Sequence, residues 1–227
     1  MKRALVVAAH PDDEVLGCGG TIAKLAMNGF SVDVIIMAEG ETSRSSFEQS
    51  SAEESLAALR KAATEAGALL GAASVVLLGL PDNRMDSMDL LDVVKRLEAT
   101  VGDTCYNAVY THHSGDVNID HQIVNRAVVT VFRPMPGKHN PSIYAFEVPS
   151  STEWQPPSQS FPFLPTVFVD VSAVLERKIA ALKVYESEMR PWPHARSLAA
   201  VEALAKWRGA TVGVDAAEAF VACRIIE

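Results

Sequence analysis

Residues 4–9 of this chain form an unbroken apolar run, Ala-Leu-Val-Val-Ala-Ala, that stops abruptly on His10-Pro11-Asp12-Asp13-Glu14. An apolar run without polar alternation is what a strand covered on both faces requires, and sheets of that kind are mostly parallel. The pattern repeats at 32–37, 74–78, 108–110 and 143–146. Helical periodicity occupies the intervals at 21–28, 52–70, 90–101 and 119–132, and Gly29, Gly67 and Gly71 fit helix C-termini. Strand–helix alternation of this sort predicts right-handed crossovers in an α/β fold. The expected architecture is a Rossmann-like, doubly wound, mostly parallel sheet with helices on both faces. Such sheets bind ligands beyond the carboxyl ends of their strands.

The chain then changes character. Residues 134–165 are rich in Pro, Ser and aromatic side chains and read as a loop-dominated excursion. Helices are expected at 177–188 and 197–208, the first with Arg177 and Lys178 on a solvated face, and a last strand at 219–226. The 227 residues suit a single domain, 1–133 forming the core and 134–227 a loop and helix extension that completes the site and the sheet. The Ser-rich stretch 42–51 follows a strand end directly and reads as an active-site loop.

Charge and cysteine usage narrow the function classes. A formal charge of −8 argues against a nucleic-acid surface, which needs a basic field. The basic start Lys2-Arg3 and its apolar run are too short for a secretory signal, and no stretch approaches membrane-spanning length. Cys18, Cys105 and Cys223 are scattered and odd in number, as expected of reduced thiols in a cytoplasmic protein. The expected partner is a small molecule, and a homo-oligomer is left open.

Chemistry concentrates in two segments. His10 to Glu14 packs three carboxylates and an imidazole into five residues past a buried strand, a costly arrangement to desolvate without a cation or a partner. Imidazole and carboxylate donors suit zinc, although acids in such a turn also favour the start of a helix. The second segment, Tyr110-Thr111-His112-His113-Ser114-Gly115-Asp116-Val117-Asn118-Ile119-Asp120-His121, follows the fourth apolar run. Four of the six histidines lie in these two segments, which one sheet edge would bring together. A metal site explains that convergence better than histidines taken singly.

These residues resemble the PIG-L/LmbE-type de-N-acetylase family, zinc hydrolases acting on N-acetylglucosamine-like groups. The resemblance rests on Ala9-His10-Pro11-Asp12-Asp13-Glu14 with Gly17-Cys18-Gly19-Gly20, and on Asp120-His121. It extends through Leu78-Gly79-Leu80-Pro81-Asp82-Asn83, the stretch 147–154, Pro193-His194-Ala195-Arg196-Ser197 and Ala217-Glu218-Ala219-Phe220. It implies His10, Asp13 and His121 as zinc ligands, Asp12 as general base, and Asp120 as a residue that orients a ligand histidine or the adjacent helix. The implied activity is hydrolysis of the amide of an N-acyl amino sugar or its conjugate. Many members carry His-Pro-Asp-His in the second block, its first histidine serving the oxyanion or the leaving amine. Here Asn118 stands in that place and cannot deliver a proton. Either His113 (or His112) supplies the acid or Asp12 returns its proton to the leaving nitrogen; His113 is the favoured acid or oxyanion partner, with Asn118 at most a hydrogen-bond donor.

Arg44, Asp82 and Arg84 follow the second and third apolar runs and are candidates to hold an anionic group or sugar hydroxyls, and for His194 and Arg196, in a Pro-rich turn, the resemblance implies substrate contact or lid structure. Two other classes compete. Gly17-x-Gly19, with Glu39 ending the second run, superficially mimics the dinucleotide-binding motif of an oxidoreductase. A non-catalytic sugar-binding module is the other, and it leaves the metal constellation unexplained.

Overall fold

A computed structural model describes residues 2–40, 49–156 and 161–226. It contains one sheet of order β3-β2-β1-β4-β5-β7-β6. Strands β1 (Arg3–Ala8), β2 (Ser31–Ala38), β3 (Ser74–Leu80), β4 (Ala108–His112) and β5 (Ser142–Phe146) run parallel. β7 (Ala217–Arg224) runs antiparallel to both β5 and β6 (Val167–Asp170). The expected α/β architecture is the observed one.

The apolar runs are continuous because both faces of the sheet are covered. Ala4, Val6 and Ala8 of β1 and Val32, Val34 and Ile36 of β2 pack on one side against α1 (Asp13–Met27), α2 (Gln49–Leu70), α5 (Leu175–Val184) and α6 (Leu198–Ala210). Leu5 and Val7, with Ile35 and Met37, face α3 (Leu90–Val101) and α4 (Ile119–Val131) on the other. Alternate side chains thus fill two separate cores, as the two-residue strand period demands.

Three features differ from the sequence expectation. α1 begins at Asp13 rather than at residue 21. Its run Gly17-Cys18-Gly19-Gly20 disfavours a helix locally, at about 1 kcal/mol per glycine. The glycines repay this by close packing: a Cβ on Gly17 would stand 2.3 Å from Cδ2 of Phe146, and one on Gly20 would stand 2.7 Å from Cγ1 of Val171. Strand β6 is only four residues long and half-buried at the sheet edge, too short to carry a pattern. Lys178 is not solvated but 3% exposed. Its ammonium lies 2.6 Å from Oε1 of Glu218 and donates to the Leu16 carbonyl at 2.8 Å, while Glu218 accepts from the N–H groups of Gly20 and Thr21. A buried ion pair thereby ties α5 and β7 to the middle of α1.

Candidate metal centre and active site

β1 has β2 on one side and β4 on the other, so the carboxyl ends of β1 and β4 flank the point where the strand order reverses. Doubly wound sheets leave their binding crevice there. Pro11 turns the chain out of β1, and α1 opens with Asp13 in its first turn. From β4, His112 is the last strand residue and His121 lies in the first turn of α4. Asp12, Asp13, His112, Asp116, Asp120 and His121 are all buried.

Asp13 is the hub. Its Oδ2 lies 3.2 Å from His10 Nδ1 and 3.2 Å from His121 Nε2. Zinc–ligand bonds of about 2.0–2.1 Å at tetrahedral angles put neighbouring ligand atoms about 3.3 Å apart. The spacing is therefore that of a tetrahedral edge. Asp13 Oδ1 and His121 Nε2 are buried without a hydrogen-bond partner among the described residues, which a cation between them would explain. The outward nitrogens are held as well: His121 Nδ1 lies 3.2 Å from Asp116 Oδ2, and His10 Nε2 lies 3.1 Å from Asp120 Oδ2. Metal-ligating histidines are normally fixed by carboxylates in this way. His10, Asp13 and His121 together fit a divalent metal.

A second group, His10, Asp82 and Asp120, also converges, with His10 Nε2 lying 3.3 Å from Asp82 Oδ1. A neutral imidazole has one free lone pair, so His10 can serve one group at a time. The buried unpartnered atoms belong to the first. Asp120 is already engaged, its Oδ1 accepting from Met85 N–H at 3.0 Å. It joins His10 to the start of the 3-10 turn Met85–Ser87.

Burial opposes charge on His10, but hydrogen bonds to Asp120 and Asp13 outweigh it and push the imidazole up to about 10. Burial likewise works against His121, and Asp13 and Asp116 overcome it. Asp13 runs the other way, held well below the usual carboxylate range by the histidines despite its burial. Positive charge is thus favoured between these groups. His112 differs: its Nε2 accepts from Ala9 N–H at 2.7 Å, and burial beside His121 drives its pKa well down. It is a neutral brace between β1 and β4, with its ring 3.9 Å from that of His121.

Asp12 stands next to the hub but outside it. Its backbone has φ 105°, a left-handed conformation in which a non-glycine residue is strained. Oδ2 accepts from Arg196 Nη1 at 2.9 Å, while Oδ1 is buried and unpartnered among the described residues. Burial raises the Asp12 carboxyl, Arg196 opposes this, and Asp13, Glu188 and Glu14 add to the rise.

The remaining expected residues divide. Asp82 is buried against His10, and Arg84 is exposed at the rim. Arg44 lies outside the described residues. His194 does not reach the hub; its Nδ1 accepts from Arg196 N–H at 3.0 Å, and its ring meets Trp154 edge-on. His113 also stands apart, its Nε2 3.1 Å from the Phe161 carbonyl and its ring against Phe163. It lines a neighbouring cavity of about 270 Å³ with Gly115, Thr152 and Arg208. Asn118 is occupied at both ends: its Oδ1 caps α4 through Asp120 N–H at 2.8 Å, and its Nδ2 donates to Asn83 at 3.0 Å. Asp116, given no role from sequence, is the residue that holds His121, and it also accepts from Ser151 and Thr152. The nucleotide reading fails on geometry. Gly17 and Gly19 lie inside a helix rather than in a phosphate-cradling loop, and that helix opens with the carboxylates of Asp13 and Glu14.

Fold and cluster define a doubly wound α/β protein with a candidate divalent-metal centre at its switch point. Comparison with known proteins then gives the family. The model of the GlcNAc-PI de-N-acetylase (PIG-L) family matches residues 5–132. The uncharacterized deacetylase YaiS of Escherichia coli is 31% identical over 192 residues, covering 82% of this chain and 91% of that one. The chain belongs to the PIG-L family of metal-dependent de-N-acetylases. Among solved structures, GalB, the 4-carboxy-2-hydroxymuconate hydratase from Pseudomonas putida, superimposes with a TM-score of 0.80 at 23% identity, covering 100% of this chain and 99% of that one. The N,N'-diacetylchitobiose deacetylase from Pyrococcus horikoshii does so with a TM-score of 0.78 at 22% identity, covering 97% and 83%. No helix among the described residues is long and apolar enough to cross a membrane.

Proposed function

We propose that this protein is a zinc-dependent hydrolase of the amide in an N-acylated amino sugar or its conjugate, releasing the free amine and a carboxylate. The observation that carries the reading is the division of labour between adjacent aspartates. Asp13 faces two histidine nitrogens at 3.2 Å each, whereas Asp12 faces Arg196 and keeps one buried oxygen unpaired.

In this reading His10, Asp13 and His121 hold the zinc, with Asp120 and Asp116 orienting the two imidazoles. The metal, when bound, supplies Lewis acidity that activates water and polarises the amide carbonyl. Asp12 accepts a proton from the attacking water as its oxygen bonds to the carbonyl carbon. A proton must then reach the nitrogen as the C–N bond breaks, and His113 is the residue we assign to deliver it or to donate to the oxyanion. Asn118 lends at most a hydrogen bond, since it is committed to its cap. Asp82, Arg84 and Arg44 serve sugar hydroxyls or an anionic substituent, and His194 acts through the turn it shapes. We place the protein in the cytoplasm, where the exposed Cys105 and Cys223 stay reduced.

The test is zinc analysis together with a panel of N-acetyl and N-formyl amino sugars, scored by released acetate or formate. About one zinc per chain and amine release from a panel member are expected. A metal-loaded protein that releases no carboxylate but hydrates an unsaturated dicarboxylic acid would overturn the reading.

A further inference from the structure

The C-terminal third of the chain contributes one cation to the buried carboxylates at the start of α1. The Arg196 guanidinium donates through Nη1 to Asp12 Oδ2 at 2.9 Å and through Nε to Ser150 Oγ at 2.7 Å. Both ends of this link are fixed. Ser150 adopts φ 71°, and its N–H is held by Glu153 Oε1 at 2.6 Å. The Arg196 N–H is held by His194. On the other side the Asp12 N–H donates to Glu14 Oε2 at 3.1 Å, and Glu14 in turn receives the Tyr185 hydroxyl at 2.6 Å.

A carboxylate rotates about a broad, two-fold torsion, so burial alone does not decide which oxygen faces the reactants. A donor on one oxygen does decide it. We propose that Arg196 is a positioning residue for the base: held by Ser150, it fixes Oδ2 of Asp12 and leaves Oδ1 as the oxygen that takes the proton. This rests on the assignment of Asp12 above. The same short turn serves both halves of the site, because Ser151 and Thr152 donate to Asp116, which holds His121. A substrate-anchoring role for Arg196 fits less well, since its side chain is 22% exposed and already donates to two partners.

Positioning errors of about 1 Å cost on the order of a hundredfold in rate. The test uses zinc-loaded protein and N-acetylglucosamine, or the fastest member of the panel. Arg196→Ala should lower kcat about tenfold to a hundredfold, with KM within about twofold and zinc content unchanged. Added guanidinium ion should restore part of that loss, and Arg196→Lys should fall between. Asp12→Asn with Arg196→Ala should be no slower than Asp12→Asn alone, because the arginine then has no base to position. Should Arg196→Ala fail to fold, Arg196→Lys takes its place in the same comparison. A raised KM with unchanged kcat, or losses that multiply in the double variant, overturns the inference. A fully active Asp12→Asn overturns the base assignment itself, an outcome distinct from either.

Discussion

Asp116 Oδ2 lies 3.2 Å from Nδ1 of His121, so the nitrogen that faces away from Asp13 is gripped by a second carboxylate. Hydrogen bonds from His121, Ser151 and Thr152 offset the burial of Asp116 and hold its carboxyl down to about 2. It is charged across the working pH range. Its charge both selects the His121 tautomer and strengthens Nε2 as a donor to a cation.

Asp116→Asn should therefore weaken metal binding without removing a ligand. Loss of such an orienting partner typically costs about 10- to 100-fold in metal affinity. Competition against a chelator of known affinity reads this directly. Affinity equal to that of the wild type would mean that Asp116 is part of the loop scaffold alone.

Gly17 yields a prediction with the opposite sign from helix propensity. An interior glycine replaced by alanine ordinarily gains about 1 kcal/mol in a helix. Here the added methyl meets the Phe146 ring at 2.3 Å. Gly17→Ala should destabilise the protein by about 1–3 kcal/mol, the usual cost of overpacking. Denaturant unfolding measures it, and adding Phe146→Leu should recover part of the loss.

That glycine shows where the sequence was legible and where it was not. The strand ends were readable because the apolar runs stop at segments rich in His and Asp, so His10, Asp13 and His121 could be placed at one sheet edge, where the structure groups them. The start of α1 was not, since three glycines in four residues argue locally against a helix, and the neighbours that explain Gly17 and Gly20, Phe146 and Val171, are distant in sequence. Lys178 looked solvated because its partner Glu218 comes from another element. The link from Arg196 to Asp12 depends in the same way on a long-range approach. Asp116 was the recoverable omission: an acid between two histidine clusters, close to where the third ligand was expected. His113 was visible as a residue but not by direction, because nothing in the local pattern shows that its ring turns toward Phe161 and Phe163.

Metal binding should release protons. Without a cation, His10 holds its proton up to about 10 and so favours the protonated form at neutral pH, and His121 is raised above its ordinary range by Asp13 and Asp116. A metal needs a lone pair on each, so binding must displace protons, and affinity should rise with pH. The dependence should approach tenfold per pH unit for each proton released and level off as pH passes about 10. Calorimetric titration of zinc in buffers of different ionisation enthalpy counts the protons. Affinity independent of pH between 6 and 8 would contradict the electrostatic picture of the empty hub.

The last prediction concerns the proton that reaches the amine. Asn118 occupies the place where many family members carry a histidine, yet its amide is spent on the α4 cap and on Asn83. Asn118→Ala should act mainly through the helix, costing about 1 kcal/mol of stability, with at most about a hundredfold effect on turnover if its donor reaches the oxyanion. His113 lines the adjoining cavity beside Thr152, outside the candidate metal group. If it delivers the proton, His113→Ala should lower kcat with zinc content intact. His113→Gln keeps a hydrogen-bond donor but no transferable proton, so it separates the two roles: recovery of rate by Gln assigns His113 to the oxyanion, and no recovery assigns it to the acid. Zinc loss in His113→Ala would make it a ligand instead. Unchanged rate in both His113 variants would leave Asp12 as the group that returns the proton.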